Sequence, residues 1–94
     1  MLGSKKSPAF DRDVKKCAKK HWGTDALKAA MTAVLLSDEK PVPQSLNDHA
    51  LSGDLQGFRE LHVGGRKSDW LVLYRIVDGI AEFARTGTHD DMFR

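Results

Sequence analysis

The chain has 94 residues, 40% of them apolar and 30% charged, with a net charge of only +2. That length leaves room for one hydrophobic core and no second domain, and the balance excludes a disordered chain, which needs low hydropathy and high net charge. The single cysteine, Cys17, excludes an internal disulfide or a CxxC metal or redox site, and neither a signal-like apolar stretch nor a run of roughly 18 apolar residues occurs, so a soluble cytoplasmic protein is expected.

Residues 1–6 are short and polar, compatible with an edge strand at most. Ser7 followed by Pro8 reads as a helix N-cap with proline in the first turn. From there Phe10, Val14, Cys17, Ala18 and His21 recur at helical spacing on one face, with His21 read as a packed residue. Arg12, Lys15, Lys16, Lys19 and Lys20 gather on the opposite face. Such a stripe is either a solvated surface or a grip on phosphates. Gly23 ends this helix, Thr24 is expected to cap the next, and Leu27, Ala30, Met31, Val34 and Leu35 repeat the apolar period.

Residues 37–57 hold two prolines and two glycines with no sustained period, the mark of a long surface connection. Three strands are expected at 58–63, 69–76 and 80–85, the last two joined by a tight turn at Val77, Asp78 and Gly79. Nearly every position of WLVLYRI is apolar, which suits a central strand. The fold class is therefore α+β: an N-terminal helical hairpin packed on a small antiparallel sheet.

Antiparallel pairing brings the end of one strand, the start of the next and the end of the third to one sheet edge whatever the register. His62, Asp69, Trp70 and Arg85 should converge there. His89 follows Arg85 by four residues, so the tail RTGTHDDMF can fold back over the same edge, and His49 lies on the connection leading into the sheet. Several imidazoles, a carboxylate and a fixed cation, with no nucleophilic serine or cysteine among them, suit RNA cleavage, because the substrate supplies its own nucleophile in the 2′-hydroxyl. The protein then provides a base, an acid and a cation for the developing phosphorane charge. Phe93 and Trp70 offer rings for splayed bases.

Other uses of these residues stand beside that one. His49, His62 and His89 are an alternative metal set, although their spacing matches no usual ligand pattern. Arg85 and Asp69 are placed to pair with each other across the sheet. Tyr74 reads as core, and Trp70 as either core or stacking platform.

The runs DHALSGDLQGFRELHV, DWLVLY and FARTGTHDDMF resemble the bacterial type II toxins of the RelE superfamily, most closely its YafQ branch of ribosome-dependent mRNA interferases. The resemblance covers nearly the whole chain. It implies an active site of His49, His62, Asp69, Trp70, Arg85, His89 and Phe93, cleavage by 2′-oxygen attack, no metal or organic cofactor, and a basic helix facing ribosomal RNA. It also implies mRNA in the ribosomal decoding site as substrate and a cognate antitoxin as partner, the free toxin being monomeric. On this reading Arg85 holds the phosphate, Gly87 lets the chain turn, and His89 is delivered as general acid. HVGGRKSDW departs from the shorter HVEPDW-like form of the family, and its Arg66 and Lys67 are candidate RNA or partner contacts. The competing functions are a non-catalytic toxin on the same fold and a plain ribosome- or RNA-binding module, neither of which uses the clustered histidines.

Overall fold

The computed structural model describes residues 1–20 and 22–93; Arg94 lies outside them, as does His21, expected to pack on the apolar face of the first helix. In chain order the described residues form β1 (Gly3–Lys6), α1 (Pro8–Lys19), α2 (Thr24–Leu35), β2 (His49–Ala50), β3 (Arg59–His62), β4 (Leu71–Val77), β5 (Ile80–Gly87) and α3 (His89–Phe93). One-turn 3-10 helices at Gln44–Leu46 and Gly53–Leu55 punctuate the long connection. The class is α+β, as expected. The sheet, however, has five strands in the order β1-β5-β4-β3-β2 and is mixed, because β1 runs parallel to β5.

Strand β1 escapes a hydropathy reading because all four of its residues are exposed. Its place is set by backbone bonds to β5 and by Gly3 N donating to the Gly79 carbonyl at 2.9 Å. Ser7 then turns the chain into α1: its hydroxyl accepts from Phe10 N at 3.0 Å and donates to the Ala84 carbonyl at 2.7 Å. One residue thus caps the helix and ties it to β5. Thr24 does not cap α2. Gly23 occupies the N-cap position without a side-chain bond, and Thr24 has already entered the helix.

Both helices lie on one face of the sheet, where Phe10, Cys17, Leu27, Ala30 and Val34 meet Leu61, Val72, Tyr74 and Phe83 in the main core. The opposite face carries a smaller cluster of Leu71, Leu73 and Met92. Strands β4 and β5 are joined at Asp78 (φ 52) and Gly79 (φ 74), both left-handed, the two-residue turn that matches strand twist.

One irregularity in that hairpin matters for everything beyond it. Tyr74 lies opposite Phe83, yet Leu73 lies opposite Arg85, so Ala84 is an extra residue in β5. The bulge reverses the alternation of β5. Arg85 then shares the face of Leu73, and Thr86 turns inward, opposite Val72. Strand β1 reaches only as far as Phe83, leaving the outer edge of β5 beyond it without a strand partner. Helix α1 covers that edge.

Candidate active site

Register alone lines up the polar groups of the open face. His49 lies opposite Glu60, Glu60 opposite Leu73, and Leu73 opposite Arg85, a single row across β2 to β5. One step along, His62 lies opposite Leu71 and Leu71 opposite Gly87. Because side chains alternate with period two, both rows project from the same face.

Each imidazole of these rows is oriented by a backbone carbonyl. His49 Nδ1 donates to the Asn47 carbonyl at 2.8 Å, which leaves Nε2 facing Glu60 Oε1 at 3.6 Å. Asp48 secures the connection leading into β2, accepting from Arg59 Nη2 at 2.9 Å and from the Tyr74 hydroxyl. Burial, reinforced by Asp48, pushes the Tyr74 hydroxyl well above its ordinary range, so it stays a donor. His62 Nδ1 donates to the Ser68 carbonyl at 2.8 Å, so the long turn between β3 and β4 folds back to hold it.

Helix α3 lies across both rows. Met92 is buried against Leu71 and Leu73. The first turn is held by a reciprocal cap: Asp91 N donates to Thr88 Oγ1 at 3.1 Å, and Thr88 N donates to Asp91 Oδ2 at 3.4 Å. Lys20, the C-cap of α1, donates to the same Oδ2 at 3.1 Å. Gly87 (φ 146) makes the approach feasible, since a Cβ there would stand 3.2 Å from Asp91 Cβ. At the other end Arg85 donates to the carbonyls of Asp91 and Met92, each at 3.3 Å. Clamped in this way, α3 sets His89 Nε2 3.8 Å from Glu60 Oε2 and lays the Phe93 ring edge-on against His89 with centroids 4.9 Å apart.

Glu60 is the centre of this arrangement. It is 4% exposed, and Oε2 is buried without a hydrogen-bond partner among the described residues. A buried carboxylate left unsatisfied is costly, and such groups concentrate where a substrate or a proton completes the set.

Residues 2–94 match the family described as the bacterial toxin of type II toxin-antitoxin systems, YafQ. The chain belongs to the YafQ toxin family. It is 37% identical over 87 residues, 93% of this chain and 90% of the relative, to the mRNA interferase toxin YafQ of Escherichia coli K12. Its fold superposes with TM-score 0.83 and 34% identity on the toxin of the E. coli DinJ–YafQ toxin-antitoxin complex, covering 99% of this chain and 98% of that one. A metal-bound toxin from Helicobacter pylori matches with TM-score 0.85 and 30% identity over 99% and 100% of the two chains.

In this YafQ-family chain the expected site residues divide into two groups. His49, His62, Arg85, His89 and Phe93 gather on the open face. Asp69 and Trp70 do not join them. Trp70 is 8% exposed and belongs to the helix-side core, where its Nε1 donates to Thr86 Oγ1 at 2.8 Å and its ring lies 5.0 Å from that of Trp22. Asp69 is exposed, has no hydrogen-bond or ion-pair partner among the described residues, and lines a shallow depression of about 440 Å³ with Trp22, Gly23, Ser68 and Trp70. Arg85 pairs with Asp13 of α1, not with Asp69. On α1, Arg12, Lys15, Lys16 and Lys19 are exposed alongside Lys20, which is tied to α3. No group of three or more His, Cys, Asp or Glu stands at metal-holding geometry among the described residues.

Sequence reasoning passed over Glu60, Thr88 and Asp91. Signals for each existed: Glu60 stands two residues before His62 and so on the same strand face, and THDD is a capping-box pattern.

Hydrogen bonds, first from Lys20 and then from Thr88, hold the Asp91 carboxyl below its ordinary value of 3.8. A depressed carboxylate contributes stability above that value and loses it as pH falls through the lowered one. Amide exchange of α3, corrected for intrinsic rates, is therefore expected to accelerate between about pH 5 and about pH 3. Asp91→Asn should already exchange fast at the upper end; unchanged protection across the range would show that the cap does not hold α3.

Proposed function

We propose that this YafQ-family toxin is a cytoplasmic, metal-independent endoribonuclease that cleaves mRNA in the ribosomal decoding site and is silenced by a cognate antitoxin. The naming of the E. coli relative as an mRNA interferase, and the DinJ–YafQ pairing, support the substrate and the partner. The observation that carries the chemistry is the placement of two imidazoles on either side of a buried carboxylate, 3.6 and 3.8 Å from it, with an arginine in the same cross-strand row.

RNA cleavage by 2′-oxygen attack needs one group to take the 2′-hydroxyl proton and another to protonate the departing 5′-oxygen. His89, at the start of α3, is the general acid. The base is drawn from the fixed side, where His49 and His62 present ring nitrogens set by their carbonyl bonds. Glu60 offsets the positive charge an imidazole gains on taking a proton, the part a carboxylate plays behind a catalytic histidine. Separations near 3.7 Å are loose for an enzyme without substrate and tighten when the reacting groups are in place.

Arg85 supplies the cation. Its Nε and both Nη2 protons are committed to Asp13 and Asp91, and one Nη1 proton to Met92, so a single donor remains for a phosphate oxygen. Arg85 therefore contributes charge and one bond, not a bidentate fork. Phe93, 41% exposed, offers a ring to a base, while Asp69 addresses a neighbouring nucleotide from the rim of the Trp22 depression and Trp70 stays in the core beneath it. The exposed Arg12, Lys15, Lys16 and Lys19 grip ribosomal phosphates.

His89→Gln and Glu60→Gln are each expected to slow single-turnover cleavage of ribosome-bound mRNA by about 10²–10⁴-fold with the circular dichroism spectrum retained. Parent cleavage should survive EDTA once ribosomes are kept intact by other means. Parent-like rates in either variant, or restoration by zinc or copper alone, would contradict the proposed chemistry.

The basic face is tested by Lys15, Lys16 and Lys19→Gln together, Lys20 being spared because it holds α3. Ribosome affinity should fall, and the slope of log affinity against log salt should shrink by about 0.7–0.9 for each lost phosphate contact. Identical binding at every salt concentration would return those residues to a solvated face.

A further inference from the structure

Resting on the endonuclease reading above, we propose that Asp13 is a positioning residue for the reaction: through Arg85 it sets α3, and with it His89, against Glu60. Asp13 belongs to none of the elements that carry imidazoles. It sits on α1, surrounded in sequence by Arg12, Val14, Lys15 and Lys16, yet it is only 4% exposed. An acid at that position would be expected in solvent. Here it is turned inward onto β5, just where β1 has ended and the strand edge lacks a partner.

Its two oxygens meet three donors. Oδ2 accepts from Arg85 Nε at 2.6 Å and from Thr86 N at 3.1 Å, and Oδ1 accepts from Arg85 Nη2 at 3.1 Å. The bond to Thr86 N takes the place of the missing ladder partner. The bonds to Arg85 form a paired fork, which fixes the guanidinium plane and not merely its distance. Asp13 also raises the proton affinity of Arg85 further, chiefly through the hydrogen bond, so the cation is permanent.

A carboxylate is required because all three partners are N–H groups. Asparagine has one acceptor oxygen, and its amide would turn N–H against N–H at the other position. The remaining Arg85 donors then reach the carbonyls of Asp91 and Met92. The physical chain runs from α1 through Asp13 and Arg85 to the end of α3, whose beginning holds His89 3.8 Å from Glu60. Asp13 itself touches neither imidazole nor Glu60. Its effect is on geometry, and small displacements of a proton donor reduce rate far more than binding.

The experiment reads two signals from Asp13→Asn. The first needs no RNA: side-chain NMR of His89 and Phe93 and amide exchange of α3 should shift as they do in Arg85→Ala, while His62 and the amides of β3 keep their parent signals. The second is kinetic. Single-turnover cleavage should fall by about 10²-fold with ribosome binding within about two-fold, and Asp13→Asn should add less than about two-fold once Arg85→Ala is present, because Asp13 acts through it. If Asp13→Asn does not fold, Asp13→Glu, which keeps both oxygens but moves them by a methylene, carries the same readouts. Parent-like α3 signals in a folded variant, full additivity with Arg85→Ala, or loss of fold in both variants would overturn the proposal and leave Asp13 a stabilising residue only. A parent chain that cleaves no mRNA overturns the functional reading alone, since the His89 signals still report whether Asp13 sets α3.

Discussion

Between Phe83 and Arg85, strand β5 carries one residue more than β4 can pair, and the direction of every later side chain in β5 depends on that insertion. Without the bulge, Arg85 would alternate with Phe83 onto the helix side and Thr86 would face outward. With it, Thr86 becomes a buried bridge between the Trp70 indole and the Leu71 carbonyl, and Arg85 joins the row of His49, Glu60 and Leu73. Beyond the end of β1, opposite Phe83, α1 covers the outer edge of β5 with Asp13. Local backbone irregularity next to a functional site is a recurring feature of sheets, and here its consequence is specific: it re-aims a cation.

The charges of the open face follow from that placement. Glu60 is buried beside two imidazoles, its Oε2 without a hydrogen-bond partner among the described residues, whereas Asp13, equally buried, accepts from Arg85 and Thr86 through both oxygens. The two buried carboxylates therefore differ in their surroundings: Asp13 ties α1 to β5, while Glu60 stands between the His49 and His89 rings. Helix α3, only five residues long, is too short to persist by itself and is kept by groups from outside it. Lys20, Arg85, Gly87 and Thr88 each fix one part of it. A short helix held by side-chain contacts at both ends can yield to substrate or partner without disturbing the sheet beneath.

Much of this was legible in the sequence. The two long helices, the hairpin turn at Asp78 and Gly79 and the gathering of His62, Arg85 and His89 at one end of the sheet follow from periodicity and from antiparallel geometry that needs no register. What register decides was not legible. Glu60 and His62 share a face by simple alternation, but nothing in FRELHV says which face is closed by a C-terminal helix. Asp13 breaks the apolar pattern of α1 and so reads as solvent-facing until its partners on β5 are known. Strand β1 has no buried side chain to announce it. Antiparallel geometry brings Asp69 and Trp70 to the same end of the sheet as His62, yet Trp70 shares the parity of Val72 and Tyr74 and so faces the helices, and the long turn leaves Asp69 on the rim of a separate depression.

In the proposed reaction the substrate brings its own nucleophile to a face that supplies acid, base and cation. The most direct measurement is cleavage of ribosome-bound mRNA in which the nucleotide 5′ to the cut carries a 2′-deoxy sugar, alongside the unmodified message. The deoxy message is expected to stay intact while the unmodified one yields a 2′,3′-cyclic phosphate or its 3′-phosphate product. Cutting of the deoxy message at a comparable rate would mean that water attacks the phosphorus, and the assignment of the imidazoles would be wrong.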